Sequence, residues 1–196
     1  MNTAATGQLV CFKAADGSAV RWAAFPTSLG WMACRWRDDV LDANTFGHDF
    51  QAAALQSVQP DIAGRRGEPT DAMRDVIARL QMYARCGRDD FATVALNISA
   101  TTKFQRRVLE CCRAIPPGST VTYASLAKKA GHPRAARAVG NVMRTNRFPL
   151  IVPCHRVVGS AGSLGGYSAP DGLDMKRRLL ALEHCPLPTR APRRAK

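Results

Sequence analysis

Cysteine, histidine and arginine occur in succession at one place in this 196-residue chain, in the run Pro153-Cys154-His155-Arg156. A thiol is a weak nucleophile until it loses its proton. A nearby imidazole can take that proton, directly or through one water, and a nearby cation favours the thiolate. Pro153 stiffens the backbone ahead of the sulfur and removes an amide donor. The run therefore admits nucleophilic chemistry at Cys154 with His155 as base. It equally admits a buried thiol beside a surface His and Arg, because sequence neighbours often point apart.

A second run, Pro133-Arg134-Ala135-Ala136-Arg137-Ala138-Val139-Gly140, sets long cations among small residues. Helices that read the major groove carry long polar side chains toward base edges. A smooth helix with one projecting Arg suits a narrow groove, with the Arg inserted into the base stack. Alanine-mediated helix packing explains the same composition. Charge bears on the choice: residues 1–100 hold 10 Lys and Arg against 11 Asp and Glu, whereas residues 101–196 hold 18 against 4. The whole excess of +13 lies in the second half, which points to a polyanion, nucleic acid first, or to a basic solubilising surface.

The elements that must carry these runs follow from periodicity. Residues 8–12, 19–22 and 31–36 read as short strands, with a hairpin turn at Asp16-Gly17. Residues 59–69 read as a loop. Thr70 can cap a helix over residues 71–86, whose Met73, Val76, Ile77, Leu80 and Tyr83 recur at helical spacing, and residues 90–98 read as a returning strand. In the second half, Thr102-Lys103-Phe104-Gln105 fits a capping box. Phe104, Val108, Cys111, Cys112 and Ile115 line one helix face, and Pro116-Pro117-Gly118 stops that helix. A helix over residues 123–130, capped by Thr122 and ended by Gly131, precedes one that Pro133 opens and that runs to about Arg144. Together they make a helix-turn-helix pattern. A last helix fits residues 173–183. The Pro-rich, basic residues 186–196 read as a disordered tail.

Composition narrows the class. No apolar run approaches the ~20 residues of a membrane span, and the first residues lack a signal-peptide layout. Seven cysteines, an odd number with no C-x-x-C, suggest neither a disulfide framework nor a zinc ribbon. Cys11, Cys34 and Cys86 with His48 read as inert thiols rather than as a metal site. A reducing compartment is expected: the cytoplasm, beside the nucleoid, in a bacterium, or the nucleus in a eukaryote.

The ordered set Thr102-Lys103-Phe104-Gln105, Ile115-Pro116-Pro117-Gly118, Thr122-Tyr123, Arg137-Ala138-Val139-Gly140, Asn146, Pro153-Cys154-His155-Arg156-Val157-Val158, Gly165-Gly166-Tyr167 and Lys176 through Glu183 resembles the O6-alkylguanine-DNA alkyltransferase family over about residues 102–184. The resemblance implies an α+β chain of two domains. The first, residues 1–99, would be a small ribonuclease H-like α/β domain. The second, residues 100–185, would be mostly helical, with a winged-helix-like helix-turn-helix and an active-site loop. It also implies single-turnover transfer of an alkyl group from guanine O6 in DNA, and in some cases from thymine O4, onto Cys154. His155 would act as base through a water and Glu183 would orient it. Asn146 would brace the segment, and Tyr123 would donate a proton to the leaving guanine. The flipped base would meet the carbonyls of Cys154 and Val157 and the amide near Ser168, between Pro149 and Tyr167. Arg137 would fill the hole in the stack, and Ala135, Ala136, Arg144 and Arg156 would join Tyr123 at the minor groove of double-stranded DNA. A monomer is implied, with no metal and no cofactor, since damaged DNA is the alkyl donor.

Three features depart from the family pattern. Arg147 follows Asn146 where relatives usually have Pro; the segment after Tyr167 is about two residues longer; and the tail lies outside the match. Rival readings are a damage sensor without transfer activity, a transcriptional regulator and a Cys-His hydrolase. The family's sensors lack the acceptor cysteine that Cys154 provides, and its regulators carry a cysteine cluster absent here.

Overall fold

A computed structural model describes residues 10–14, 20–58 and 64–184, with side chains from residue 20 onward except in residues 64–66. The chain divides into two compact units, residues 1–85 with 94–97 and residues 86–93 with 98–196. The division is therefore not the single cut at residue 99 that the sequence suggests. No helix among the described residues is long and apolar enough to cross a membrane. No three described His, Cys, Asp or Glu side chains gather so as to hold a metal ion.

The first unit is built on an antiparallel sheet of order β4-β3-β2-β1-β5, from β1 (Val10–Ala14), β2 (Val20–Thr27), β3 (Gly30–Arg37), β4 (Val40–His48) and β5 (Gly64–Arg66). Successive residues Trp22, Ala23, Ala24 and Phe25 are all buried, so both sheet faces are covered. On one face α1 (Gln51–Val58) packs Ala54, Leu55 and Val58 against Trp22, Ala24, Ala33 and Ala43. Helix α2 (Asp71–Cys86) has the bounds its periodicity gives and buries Met73, Val76, Ile77, Leu80 and Tyr83. The Met73 amide donates to Thr70 Oγ1, and Ser28 Oγ donates to the Ala84 carbonyl.

Four expectations for this half change. Residues 64–66 are not loop but an edge strand paired with β1. Residues 90–98 form no strand: Asp89 and Asp90 side chains accept the Phe91 and Ala92 amides in tight turns, and only Leu96 bridges to Leu41. Helix α1 and strand β4 went unread. In β4, Asp42 and Asn44 are buried, where alternation would place apolar residues; Asp42 is satisfied by Arg35 and Asn97. The Asp16-Gly17 turn lies outside the described residues.

The second unit packs α3 (Lys103–Arg113), α4 (Tyr123–Lys129) and α5 (Ala136–Arg144) together. A parallel pair of two-residue strands joins β6 (Val121–Thr122) to β7 (Val157–Val158), and α6 (Gly172–Leu182) follows. The capping box at Thr102 and Gln105 is formed, with Val108, Leu109 and Cys112 buried. At the end of α4 the His132 amide bonds to the Ala127 carbonyl and the Gly131 amide to the Lys128 carbonyl. This Schellman closure places Gly131 at φ +84°. Pro133 does not open the next helix. A turn from the Ala135 amide to the His132 carbonyl intervenes, and α5 starts at Ala136 without a side-chain cap.

Because no atom lies within 4 Å of a methyl placed at Gly131, Gly131→Ala isolates the backbone penalty of a left-handed residue. We expect a loss of about 1–2 kcal/mol in urea unfolding, with the fold retained.

Candidate active site

The backbone brings the pieces together first. The β6–β7 ladder pairs Thr122 with Val158, so Tyr123, the next residue, comes alongside the segment that carries Cys154. A single 3-10 turn, Cys154–Arg156, sits just before β7, closed by the Arg156 amide on the Pro153 carbonyl. Asn146 braces what precedes it. Its Oδ1 accepts the Phe148 amide at 3.0 Å and its Nδ2 donates to the Val152 carbonyl at 2.8 Å. Both bonds are made with Arg147, not Pro, after the asparagine.

Below the turn lies a buried ionic cluster. His155 Nε2 is 2.9 Å from Glu183 Oε1. Arg156 Nε donates to Glu183 Oε2 at 2.9 Å and Arg156 Nη2 to Oε1 at 2.6 Å, while Nη1 donates to the Ile115 carbonyl. His155 and Arg156 are 0% and 1% exposed. Burial alone would raise the Glu183 carboxyl, but hydrogen bonds and charge from His155 and Arg156 outweigh it and hold the group down at about 2. Burial pushes His155 below its usual value against the pull of Glu183. The imidazole is therefore neutral at pH 7 and able to accept a proton.

Cys154 is 8% exposed. Burial raises its thiol, and the Asn146 side chain, the Lys176 charge and the Tyr167 hydroxyl pull it back. Such a sulfur is a thiol at rest and needs a base to ionise. Lys176 is the cation that sequence reasoning did not assign. Its Nζ donates to the Val157 and Leu164 carbonyls at 2.6 Å each, and burial lowers it to about 8. Its signal was present: Lys176 falls on the stripe of α6 that buries Met175, Leu179 and Leu180.

Above the sulfur opens a cavity of about 430 Å³. Tyr123 lines it from α4; Gly140, Met143 and Arg144 line it from α5; Gly166, Tyr167 and Ser168 line it from the loop before α6. Burial and the neighbouring Cys154 and Cys112 raise the Tyr123 phenol, so it keeps its proton at neutral pH. Gly165, at φ +72°, lets that loop lie on Tyr123: a Cβ there would come within 2.8 Å of the ring. Ser168 Oγ donates to the Arg144 carbonyl at 3.2 Å and ties the loop to α5. Arg137 is exposed one turn before Gly140, on the helix side that also carries Arg144. Ala135 and Ala136 are half-buried at the start of that helix.

Several expected placements change. Arg156 cannot meet DNA, because its guanidinium is buried on Glu183 and Ile115. Nor is it the cation nearest in effect to the thiol, a place held by Lys176. Pro149 is not among the residues that line the cavity, whereas Gly140 and Met143 are. Val157 is fully buried and its carbonyl already accepts from Lys176.

Glu183→Gln removes the charge that Arg156 is buried against. We expect a loss of about 3–5 kcal/mol at pH 7 by denaturant unfolding. A carboxyl lowered by folding stabilises above its unfolded value and loses that contribution as pH falls. The parent should therefore lose about 3 kcal/mol between about pH 4.5 and 2 from this group, a decline absent from the variant.

The family model "6-O-methylguanine DNA methyltransferase, DNA binding domain" matches residues 103–185. The methylated-DNA–protein-cysteine methyltransferase of Methanothermobacter thermautotrophicus is 37% identical over 115 residues, 59% of this chain and 63% of that protein. Its namesake in Mycolicibacterium paratuberculosis is 48% identical over 128 residues, 65% of this chain and 74% of that protein. The crystal structure of Mycobacterium tuberculosis OGT in complex with DNA superposes with a TM-score of 0.65 at 30% identity, covering 82% of this chain and 91% of that one. The matched stretch is less than two thirds of some relatives, such as the archaeal protein and, at 46%, the Escherichia coli bifunctional Ada. With the mycobacterial relative matched over most of its length, the chain belongs to the O6-methylguanine-DNA methyltransferase family.

Proposed function

We propose that this chain repairs DNA directly, moving a methyl or other alkyl group from guanine O6 to Cys154 in one irreversible turnover. The observation that carries this is Cys154 lining a cavity of about 430 Å³ from the same short turn that bonds His155 to Glu183.

A stacked guanine hides its O6 from any protein nucleophile, so the nucleotide must be turned out, at a cost of a few kcal/mol. Arg137 stands one helical turn from the cavity mouth and fills the gap left in the stack. The small residues Ala135 and Ala136 let α5 approach the minor groove closely. A monomer suffices, acting in the compartment that holds the DNA, because the cavity is built within one unit of one chain.

In the cavity the base lies beside Tyr123, Tyr167 and the Ser168 amide. His155 Nε2 is engaged by Glu183, so Nδ1 takes the thiol proton through a water. The sulfur attacks the alkyl carbon in line; the carbon–oxygen bond breaks and its electron pair returns to the guanine. Tyr123 gives a proton to the leaving base and recovers one from the His155 side, so protons balance. The product is a thioether, which water does not cleave, and this ends activity. Lys176 acts as a positioning residue: its charge favours the thiolate while its bonds to Val157 and Leu164 hold the loop. We further read the first unit, with its antiparallel sheet and parallel Leu41–Leu96 bridge, as a reduced ribonuclease H-like fold. We read α4 and α5 with the β6–β7 pair as a winged-helix-like module.

Incubation with a duplex carrying labelled O6-methylguanine tests the reading. One label per chain is expected, and none in Cys154→Ala. More than one transfer per chain, or label released to water, overturns it. Arg137→Ala should slow transfer from duplex DNA about 10- to 100-fold, with little change toward a free O6-alkylguanine base. Lys176→Gln should move the pH midpoint of Cys154 alkylation by iodoacetamide upward.

A further inference from the structure

Between residues 101 and 170 the chain holds 11 Lys and Arg against a single acid, Glu110. Arg137 and Arg144 stand on α5 beside the cavity. Five more cations gather elsewhere in the second unit, around a ring contact. Phe104, in the first turn of α3, meets His132, in the turn between α4 and α5, edge to face at 5.0 Å. Lys103 precedes Phe104, and Arg107 lies one turn beyond it on the same flank of α3. Lys128 and Lys129 end α4, and Arg134 follows His132 by two residues. The His132 and Gly131 amides, bonded to the Ala127 and Lys128 carbonyls, hold this stretch in one tight turn.

All five cations are exposed. Among the described residues only Arg107 of the five has an ion pair, a 3.6 Å contact with Glu110 that solvent screens. Like charges gathered without acids repel one another and cost stability. A polyanion that binds them relieves the repulsion and releases its own counterions. This face is not the one that surrounds the cavity. Tyr123 lines the cavity from the start of α4. Lys128 and Lys129 follow it by five and six residues, about 140° and 240° around the helix. Both therefore project more than a right angle away from the cavity side. A duplex seated on α5 with a base in the cavity leaves them uncovered.

We propose that Lys103, Arg107, Lys128, Lys129 and Arg134 form a second duplex-binding face. It takes the phosphate backbone of another DNA segment while α5 holds the first. The inference deepens the proposed function and rests on DNA being the partner of α5. Phosphate contacts carry no sequence information, which suits a face that meets DNA anywhere. A single-use protein must inspect very many undamaged sites for each lesion. Holding two segments lets it pass from one to the other without full release.

Two short undamaged duplexes, one carrying a donor dye and one an acceptor, test it. Adding the parent chain at low salt should produce energy transfer that peaks near one protein per two duplexes. Excess protein should abolish the transfer, because each duplex then has its own chain. Lys128→Gln with Lys129→Gln should weaken binding of the second duplex at least about tenfold and leave the first within about twofold. The slope of log affinity against log salt for the second duplex should flatten by about two. No energy transfer with the parent, transfer that persists at excess protein through contact between copies, or equal weakening of both duplexes in the variant would overturn the proposal. So would a face that retains RNA or polyglutamate in preference to duplex DNA. Undamaged DNA is used throughout, so an absence of alkyl transfer would refute the proposed function and leave this result standing.

Discussion

The arrangement around the sulfur depends on one carboxylate that has no contact with water. Glu183 is stripped of its hydration and compensated by an imidazole and a guanidinium whose donors fill its oxygens. Such compensation works only when geometry is tight, so three separate elements are drawn to one point. The end of α6 delivers the acid, the 3-10 turn delivers His155 and Arg156, and the end of α3 offers the Ile115 carbonyl. The position of the thiol follows from that convergence, because Cys154 shares the turn.

Around this anchor, the remaining bonds govern what the sulfur can do. Desolvation keeps the proton on Cys154 at rest, and the flanking amide, ammonium and phenol reduce the penalty of removing it. Lys176 serves two ends with one group, holding the carbonyls of the loop that roofs the cavity and lowering the charge penalty below it. Its own ammonium is weakened by burial, so this cation is held near the thiol at some expense in stability.

Much of the second unit was legible because each of its devices is local. The capping box at Thr102, the cap at Thr122 and the turn glycine Gly131 are set by residues within a few positions. Cys154, His155 and Glu183 were named through the family resemblance; the structure bonds His155 to Glu183 and sets Cys154 in the same short turn as His155. What escaped the sequence depended on distant partners. Arg156 looks like a surface cation until Glu183, 27 residues away, is brought under it. Strand β4 looks too polar for a core until Arg35 and Asn97 meet Asp42. Lys176 looks like a solvated helix residue until the carbonyls of two other segments surround it.

The two-rung ladder between β6 and β7 has a bearing on the order in which the molecule comes together. Val121 and Val157 close a loop that contains all of α4 and α5, and such long-range closure is unfavourable until the enclosed helices have condensed. Glu183 arrives later still along the chain. A nascent polypeptide that has already emerged past Cys154 thus carries its thiol without the counter-ion that orients the base. The bond that orients the His155 ring can form only once synthesis has passed α6.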